Sequence, residues 1–224
     1  MFTFVAPRSY TAATESSETR SRVGTPVVLV HGYGGRPAQW APLEWRLRRH
    51  GFDTVHRLRL NPFVEDIPAM ARRLACTVRV LLHRTGAERV HLVGHSMGGI
   101  VIRYAVTVLA LDEVVDTAVT VASPHGGSPL AHLACGATAA QLRPGSTVLR
   151  ALEQAARPGR TRWVSVYSDA DGVVPAERAL IRPSALQATH VLLPGLDHLG
   201  ILRSGALADA VSEQLCDAED RRAR

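Results

Sequence analysis

One segment constrains the fold of this chain more than any other. Residues 89–99 read Arg-Val-His-Leu-Val-Gly-His-Ser-Met-Gly-Gly, an apolar run followed at once by a glycine-bounded turn and then by a helical pattern. So tight a turn strains the backbone of its central residue, and Gly94 and Gly98 leave room where side chains would clash with neighbouring backbone. The segment predicts a sharp strand–turn–helix corner that presents the hydroxyl of Ser96 to solvent.

The rest of the chain alternates short apolar runs with longer helical patterns. Such alternation is typical of repeated βαβ units and of a mostly parallel sheet with helices on both faces, so the fold class expected is α/β. Strands are predicted at 27–30, 53–58, 89–93, 117–121, 162–167 and 190–193. Helices are predicted at 37–50, 67–84, 97–111 and 199–216.

The length of the chain favours one domain. A chain of 224 residues that is 46% apolar can bury one sizeable core and is too short to form two domains that each bury such a core. We expect a single domain over residues 23–216, with mobile polar ends at 1–22 and 217–224.

Residues 124–160 interrupt the alternation of strands and helices, and long loops are usually functional. We expect a small cap or substrate-binding segment there, with short helices near 128–134 and 147–156.

Composition argues against several classes of function. None of the 26 basic residues is Lys, and the Arg residues behind the net charge of +6 are spread along the chain, so no nucleic-acid partner is expected. The three Cys residues form no CxxC motif and indicate neither a disulfide framework nor a zinc site. No apolar run approaches the roughly 18 residues of a membrane span, and residues 1–22 lack the apolar core of a secretory signal. The cytoplasm is therefore favoured, unless a leader was removed before this numbering starts.

A serine hydroxyl becomes a good nucleophile only beside an imidazole that a carboxylate orients. His198 is the predicted base, because it alone among ten His residues lies in a short loop after the last predicted strand. Two carboxylates compete for the acid in Ser-Asp-Ala-Asp-Gly-Val-Val at 168–174. Asp171 is favoured because it lies deeper in the loop beside a glycine, whereas Asp169 is expected to bond its own backbone. Asp197 would need an awkward geometry to reach the adjacent imidazole.

Two backbone N–H groups are predicted to stabilise a developing oxyanion. One belongs to Met97, directly after Ser96, and the other to Tyr33 in the loop His-Gly-Tyr-Gly-Gly at 31–35. Phosphate binding by this glycine-rich loop is excluded, because the chain has no Lys and no GxxxxGK[ST] motif. Among the other His residues, His31 is expected to position its loop, His95 to pack at the corner and His125 to line the cleft.

Five blocks of the sequence resemble, in order and rough spacing, the compact bacterial lipases and esterases of the α/β-hydrolase superfamily. These blocks are VVLVHGYGG at 27–35, VHLVGHSMGG at 90–99, VTVASPHGG at 119–127, VYSDADGVV at 166–174 and HLGIL at 198–202. The resemblance covers about residues 25–203. It implies an α/β-hydrolase fold of about six strands and cleavage of carboxylic esters, acylglycerols included, without a metal or organic cofactor. It also supports Asp171 over Asp169.

The expected reaction passes through an acyl-enzyme on Ser96, with a small-molecule or lipid ester as substrate and transient contact with a lipid interface. Four leucines of the 124–160 segment are predicted to contact the acyl chain or to pack in the core, namely Leu130, Leu133, Leu142 and Leu149. Two alternatives stay open at this point. The same triad serves acyl transfer or thioester cleavage, and a hydrolase scaffold can also be a non-catalytic binding protein.

Overall fold

A sheet of parallel strands lies at the centre of the molecule. The computed structural model describes residues 24–224, so the predicted mobile segment 1–22 lies outside the described residues. The strands are β1 (Val27–Val30), β2 (Val55–Leu58), β3 (Val90–His95), β4 (Val115–Val121), β5 (Arg162–Tyr167) and β6 (Thr189–Leu192). Their order is β2-β1-β3-β4-β5-β6, and every neighbouring pair is parallel. All strands therefore end at one edge, which we call the carboxyl edge, and loops that follow the strands meet there.

Burial explains why the sequence reveals the strands so directly. Every residue of β1 and β3 is buried, whereas the edge strands β2 and β6 leave side chains exposed. A parallel strand that is covered on both faces reads as a nearly continuous apolar run. The prediction of a six-stranded α/β sheet is confirmed, with strand ends shifted by at most two residues.

Helices cover both faces of the sheet. They are α1 (Ala41–Arg49), α2 (Ile67–Thr85), α3 (Met97–Thr107), α4 (Ala137–Gln141), α5 (Thr147–Gln154), α6 (Ala176–Ala179) and α7 (Gly205–Arg222). The apolar sides of α2, α3 and α5 pack on one face and those of α1 and α7 on the other. Among the described residues, no helix is long and apolar enough to cross a membrane.

The C-terminal helix corrects one prediction. A tail was expected from residue 217, but α7 continues to Arg222. Ala218 is buried, the carboxylate of Glu219 accepts a hydrogen bond from Thr25 Oγ1, and His91 Nε2 lies 3.1 Å from the same carboxylate. These long-range contacts extend the helix beyond its last apolar turn. The prediction of a mobile tail is therefore wrong for residues 217–222.

The segment 124–160 is partly a cap and partly core. It holds a 3₁₀ turn at Pro129–His132 and the helices α4 and α5. The short helices expected near 128–134 and 147–156 are present, whereas α4 was not predicted. Leu142 and Leu149 are buried in the core that also contains α3. They therefore pack in the core and do not contact the acyl chain.

Candidate active site

Ser96 occupies the corner between β3 and α3. Its backbone has φ 53° and ψ −123°, a conformation that a non-glycine residue adopts only under strain. The corner is held from both sides, because Ser96 N–H donates to the Val121 carbonyl at 2.8 Å and Gly99 N–H donates to the Ser96 carbonyl at 3.0 Å. Hydrogen bonds to β4 and within the first turn of α3 thus hold Ser96 in its strained backbone conformation.

Glycines let the backbone close around this corner. A Cβ atom at Gly98 would meet the carbonyl oxygens of Val30 and His31, and one at Gly99 would meet the side chain of Ser123. Gly32, in the loop after β1, lies against Ser96 itself, because a Cβ there would be 3.0 Å from Ser96 Cβ. The close approach of α3 to β1 and β4 therefore depends on the missing side chains.

The structure brings Ser96, His198 and Asp171 together in one hydrogen-bonded chain. His198 Nε2 lies 3.1 Å from Ser96 Oγ, and His198 Nδ1 lies 2.8 Å from Asp171 Oδ2. The side chain of His198 is 12% exposed and that of Asp171 is 2% exposed. Each residue follows a different strand, namely β3, β5 or β6, so the parallel sheet explains why positions so distant in sequence meet.

Hydrogen bonds keep the Asp171 carboxylate ionised. Burial by itself raises its pKa, but hydrogen bonds from His198 and from the Val174 and Val173 N–H groups outweigh burial and hold the pKa below its usual range. Both valine N–H groups donate to Oδ1, at 2.8 and 2.9 Å, which leaves Oδ2 for the imidazole. A charged Oδ2 favours the tautomer of His198 that carries its proton on Nδ1 and leaves Nε2 free to accept.

The competing carboxylates have other partners. Asp169 was expected to bond its own backbone, but its Oδ1 accepts from Gly195 N–H at 2.8 Å, in the loop that carries the histidine. Ser168 Oγ accepts from Leu196 N–H at 3.0 Å in the same loop. Asp197 closes a local turn by accepting from Leu199 and Gly200 N–H. Ser168 and Asp169 thus join the loop that contains Asp171 to the loop that contains His198.

The loop after β1 provides the second part of the candidate oxyanion site. Leu60 N–H donates to His31 Nε2 at 3.0 Å, so the ring carries its proton on Nδ1, 2.9 Å from the Gly32 carbonyl. This contact matches the loop-positioning role predicted for His31. Within residues 24–224, neither Tyr33 N–H nor Met97 N–H donates to a protein acceptor, so both donors remain open to a ligand.

His95 holds the His198 loop in a way that the sequence did not reveal. Its ring is buried and lies 4.7 Å from the His198 ring, centroid to centroid, and its Nε2 donates to the His198 carbonyl at 2.9 Å. Burial, and then the nearby charge of His198, lower the pKa of His95 to about 3. His95 therefore stays neutral and holds the backbone of the histidine loop. Its position next to Ser96 was the only sequence signal.

One predicted substrate contact is wrong. His125 is 3% exposed, and its Nε2 lies 3.0 Å from Thr120 Oγ1 in the interior. Burial, together with the charge of Arg103, lowers its pKa well below the usual value. His125 is thus a structural residue and does not line an open cleft, because its loop turns back onto β4.

Apolar side chains are exposed on loops of the carboxyl edge. Leu130 is 44% exposed and Leu133 is 83% exposed, as their predicted role in substrate contact requires. Phe63 and Val64, which the sequence analysis did not single out, are 70% and 81% exposed, and Leu199 beside His198 is 60% exposed. The sequence signal for this exposed turn was Asn-Pro-Phe-Val at 61–64, shortly after the second predicted strand.

Within the described residues, no cluster of His, Cys, Asp and Glu could hold a metal ion.

Sequence comparisons give lipase relatives. A family model described as a PGAP1-like alpha/beta domain matches residues 68–142. A triacylglycerol lipase of Burkholderia plantarii is 32% identical over 127 residues, which are 53% of this chain and 35% of that protein. A triacylglycerol lipase of Pseudarthrobacter phenanthrenivorans is 32% identical over 123 residues, which are 51% of this chain and 38% of that protein. The matches span little more than a third of the length of these relatives.

Solved structures of lipases and esterases have the same fold. The mature lipase BlEst2 of Bacillus licheniformis superposes with a TM-score of 0.75 at 21% identity, over 90% of this chain and 95% of that one. A monoacylglycerol lipase of Paleococcus ferrophilus superposes with a TM-score of 0.68 at 17% identity, over 87% and 96% of the two chains. The chain therefore has the α/β-hydrolase fold, which confirms the predicted fold class, and about half of it is similar in sequence to triacylglycerol lipases, in agreement with the resemblance.

Proposed function

We propose that this chain is a serine hydrolase that cleaves carboxylic esters through an acyl-enzyme on Ser96. The observation that carries the proposal is the hydrogen-bonded chain from Ser96 through His198 to Asp171 at the carboxyl edge. The lipase relatives support the same chemistry. Triads of this kind are recognised by geometry and not by sequence position, and each distance here is within hydrogen-bonding reach.

The acylation step uses His198 as the base. Its Nε2 takes the proton from Ser96 Oγ while the oxygen attacks the ester carbonyl carbon, and the carbonyl π electrons move onto the carbonyl oxygen. The tetrahedral intermediate collapses, the bond to the alcohol oxygen breaks, and His198 gives its proton to that oxygen. Water then attacks the acyl-enzyme by the same route and releases the acid and the free serine.

The remaining polar groups act on charge and orientation. Asp171 keeps the proton of neutral His198 on Nδ1 and stabilises the imidazolium that forms during each proton transfer. Met97 and Tyr33 N–H groups donate to the negative oxygen of the intermediate. Such a donor contributes on the order of 3 kcal/mol to transition-state stabilisation. The N-terminus of α3, with its positive dipole end, stabilises the same charge.

The exposed apolar side chains of the carboxyl edge favour an apolar ester. Phe63, Val64, Leu130, Leu133 and Leu199 come from three separate loops of this edge. Exposed apolar groups that gather beside a reactive centre are typical of sites that bind apolar ligands or lipid surfaces. We therefore propose a lipid or other apolar ester as substrate, taken from solution or during transient contact with a lipid interface.

The test is a series of p-nitrophenyl esters of increasing acyl length, assayed beside an emulsified triglyceride. We expect turnover by the wild type and none above a trace for Ser96→Ala. The matched control Ser184→Ala alters an exposed serine on the turn before β6 and is expected to keep wild-type turnover. Ester turnover by Ser96→Ala at the wild-type rate would refute the proposal. An added alcohol that captured most of the acyl group would favour acyl transfer over hydrolysis.

A further inference from the structure

The side chain of Tyr33 connects the candidate oxyanion loop to a distant part of the chain. Its hydroxyl donates to the carbonyl oxygen of Cys135 at 3.0 Å, across 102 positions of sequence. Cys135 lies in the 124–160 segment, between the 3₁₀ turn at Pro129–His132 and α4. The residue that offers its N–H to the oxyanion thus has a second, independent attachment through its side chain.

The partners of Tyr33 are themselves held together. Its ring packs edge to face on Phe63, with centroids 5.2 Å apart. The loop that contains Phe63 is tied to α4, because Thr138 Oγ1 donates to the Glu65 carbonyl at 2.6 Å and Ile67 N–H donates to Gln141 Oε1 at 2.8 Å. Tyr33 therefore contacts two segments that already form one hydrogen-bonded unit.

The backbone of Tyr33 is restrained on its N-terminal side and freer on its C-terminal side. The Gly32 carbonyl, which shares a planar peptide unit with the Tyr33 N–H, lies 2.9 Å from its donor His31 Nδ1. Tyr33 is flanked by Gly32 on one side and by Gly34 and Gly35 on the other, and Gly34 has φ 66° with no atom within 4 Å of a Cβ built there. Glycine gives a loop more conformational freedom than any other residue. Within this loop, one backbone hydrogen bond runs from Gly35 N–H to the Gly32 carbonyl. The orientation of the Tyr33 N–H thus depends on the hydrogen bonds to the Gly32 carbonyl on one side and on the anchored Tyr33 side chain on the other.

We propose that Tyr33 is a positioning residue, whose hydroxyl bond to the Cys135 carbonyl holds its own N–H in the direction of the oxyanion. The inference rests on the proposed function. An oxyanion donor acts only if it is already oriented when charge develops, and its interaction is stronger in the transition state than in the bound substrate. Loss of the anchor therefore lowers kcat and leaves KM nearly unchanged.

The variant Tyr33→Phe tests this, because it removes the hydroxyl and keeps the ring, the contact with Phe63 and the N–H. We expect kcat for a p-nitrophenyl ester to fall about tenfold, less than the hundredfold or more that follows complete loss of a donor. KM is expected to stay within about twofold of wild type, since ground-state binding is untouched. The control is Tyr104→Phe, on α3, where the tyrosine is half-buried and its hydroxyl makes no hydrogen bond within residues 24–224. The kcat of this control is expected to equal that of the wild type.

An end-point titration with a fluorophosphonate, which counts reactive serines, separates positioning from misfolding. We expect Tyr33→Phe to titrate to the same end point as the wild type, at a lower rate. Wild-type kcat in Tyr33→Phe, a rise in KM alone, or a fall in kcat matched by a lower end point would each overturn the positioning role. If instead Ser96→Ala turned over ester at the wild-type rate, the proposed function itself would fail.

Discussion

At the scale of single residues, two carboxylates in one short loop take different tasks. Asp171 faces His198 and accepts two backbone N–H groups, whereas Asp169 accepts from Gly195 and holds the histidine loop. Both are aspartates in the segment at 168–174, so composition cannot distinguish them. The deeper position of Asp171 in the loop and the glycine beside it favoured the carboxylate that contacts the histidine. The actual partner of Asp169 lies 26 residues away and has no local signal.

The variants Asp171→Asn and Asp169→Asn separate these tasks. An amide at 171 no longer favours the Nδ1–H tautomer of His198, and we expect kcat to fall by a factor on the order of 10⁴. An amide at 169 keeps an oxygen that can accept from Gly195, so kcat is expected to stay within about threefold of wild type. Steady-state kinetics with a soluble ester give both values. If kcat fell further for Asp169→Asn than for Asp171→Asn, the roles assigned to the two aspartates would have to be exchanged.

The buried imidazole of His95 makes stability depend on pH. Its folded-state pKa is about 3, below the usual value of 6.5, because of burial and the nearby charge of His198. As the pH falls below 6.5, the unfolded chain gains a proton on this residue that the folded chain does not, so stability is lost toward acid. The neighbouring groups that act on His95 are His198, Asp171 and His31.

Removal of this imidazole is expected to flatten the acid side of the stability profile. Between pH 6 and 4, we expect the free energy of unfolding to fall less steeply for His95→Gln than for the wild type. The two slopes are expected to differ by about 1.4 kcal/mol per pH unit. Glutamine can still donate to the His198 carbonyl. Urea unfolding at several pH values measures the slopes, and the control His50→Gln changes an imidazole that solvent reaches in the folded state. Parallel slopes for wild type and His95→Gln would contradict this account.

At the scale of elements, the corner between β3 and α3 depends on the absence of side chains. α3 begins directly against β1, where the Val30 and His31 carbonyls lie at the position of a Cβ on Gly98. The glycine pattern around Ser96 predicted this closeness, because a strand and a helix joined by so short a turn must approach each other. The same reasoning explains Gly99 against Ser123.

The variant Gly98→Ala tests the corner. The added methyl group overpacks the contact between α3 and β1, so we expect the free energy of unfolding to fall by about 1 to 3 kcal/mol. The matched control is Gly205→Ala in the first turn of α7, where a Cβ meets nothing within 4 Å. Its free energy of unfolding is expected to stay constant or to rise by up to about 1 kcal/mol. Equal stability of Gly98→Ala and wild type in urea unfolding would refute the steric argument.

At the scale of the whole molecule, local signals account for the strands and for the candidate triad. Each of Ser96, Asp171 and His198 lies in the connection that follows a recognisable strand, and a parallel sheet gathers such positions at one edge. Contacts between distant segments had no such signal. The burial of His125, the extension of α7 by Glu219 and the bond from Tyr33 to Cys135 each depend on a partner elsewhere in the chain or on the return of a loop to the sheet. Periodicity and spacing do not encode those contacts.

The assembly of the site from three strands is the central claim, and covalent labelling tests it most directly. The wild type is to be treated with a fluorophosphonate and the adduct mapped by mass spectrometry, beside Ser96→Ala and Ser184→Ala. We predict one adduct on Ser96 in the wild type and in Ser184→Ala, and none in Ser96→Ala. An adduct on a different residue, or an unlabelled wild type, would contradict the account.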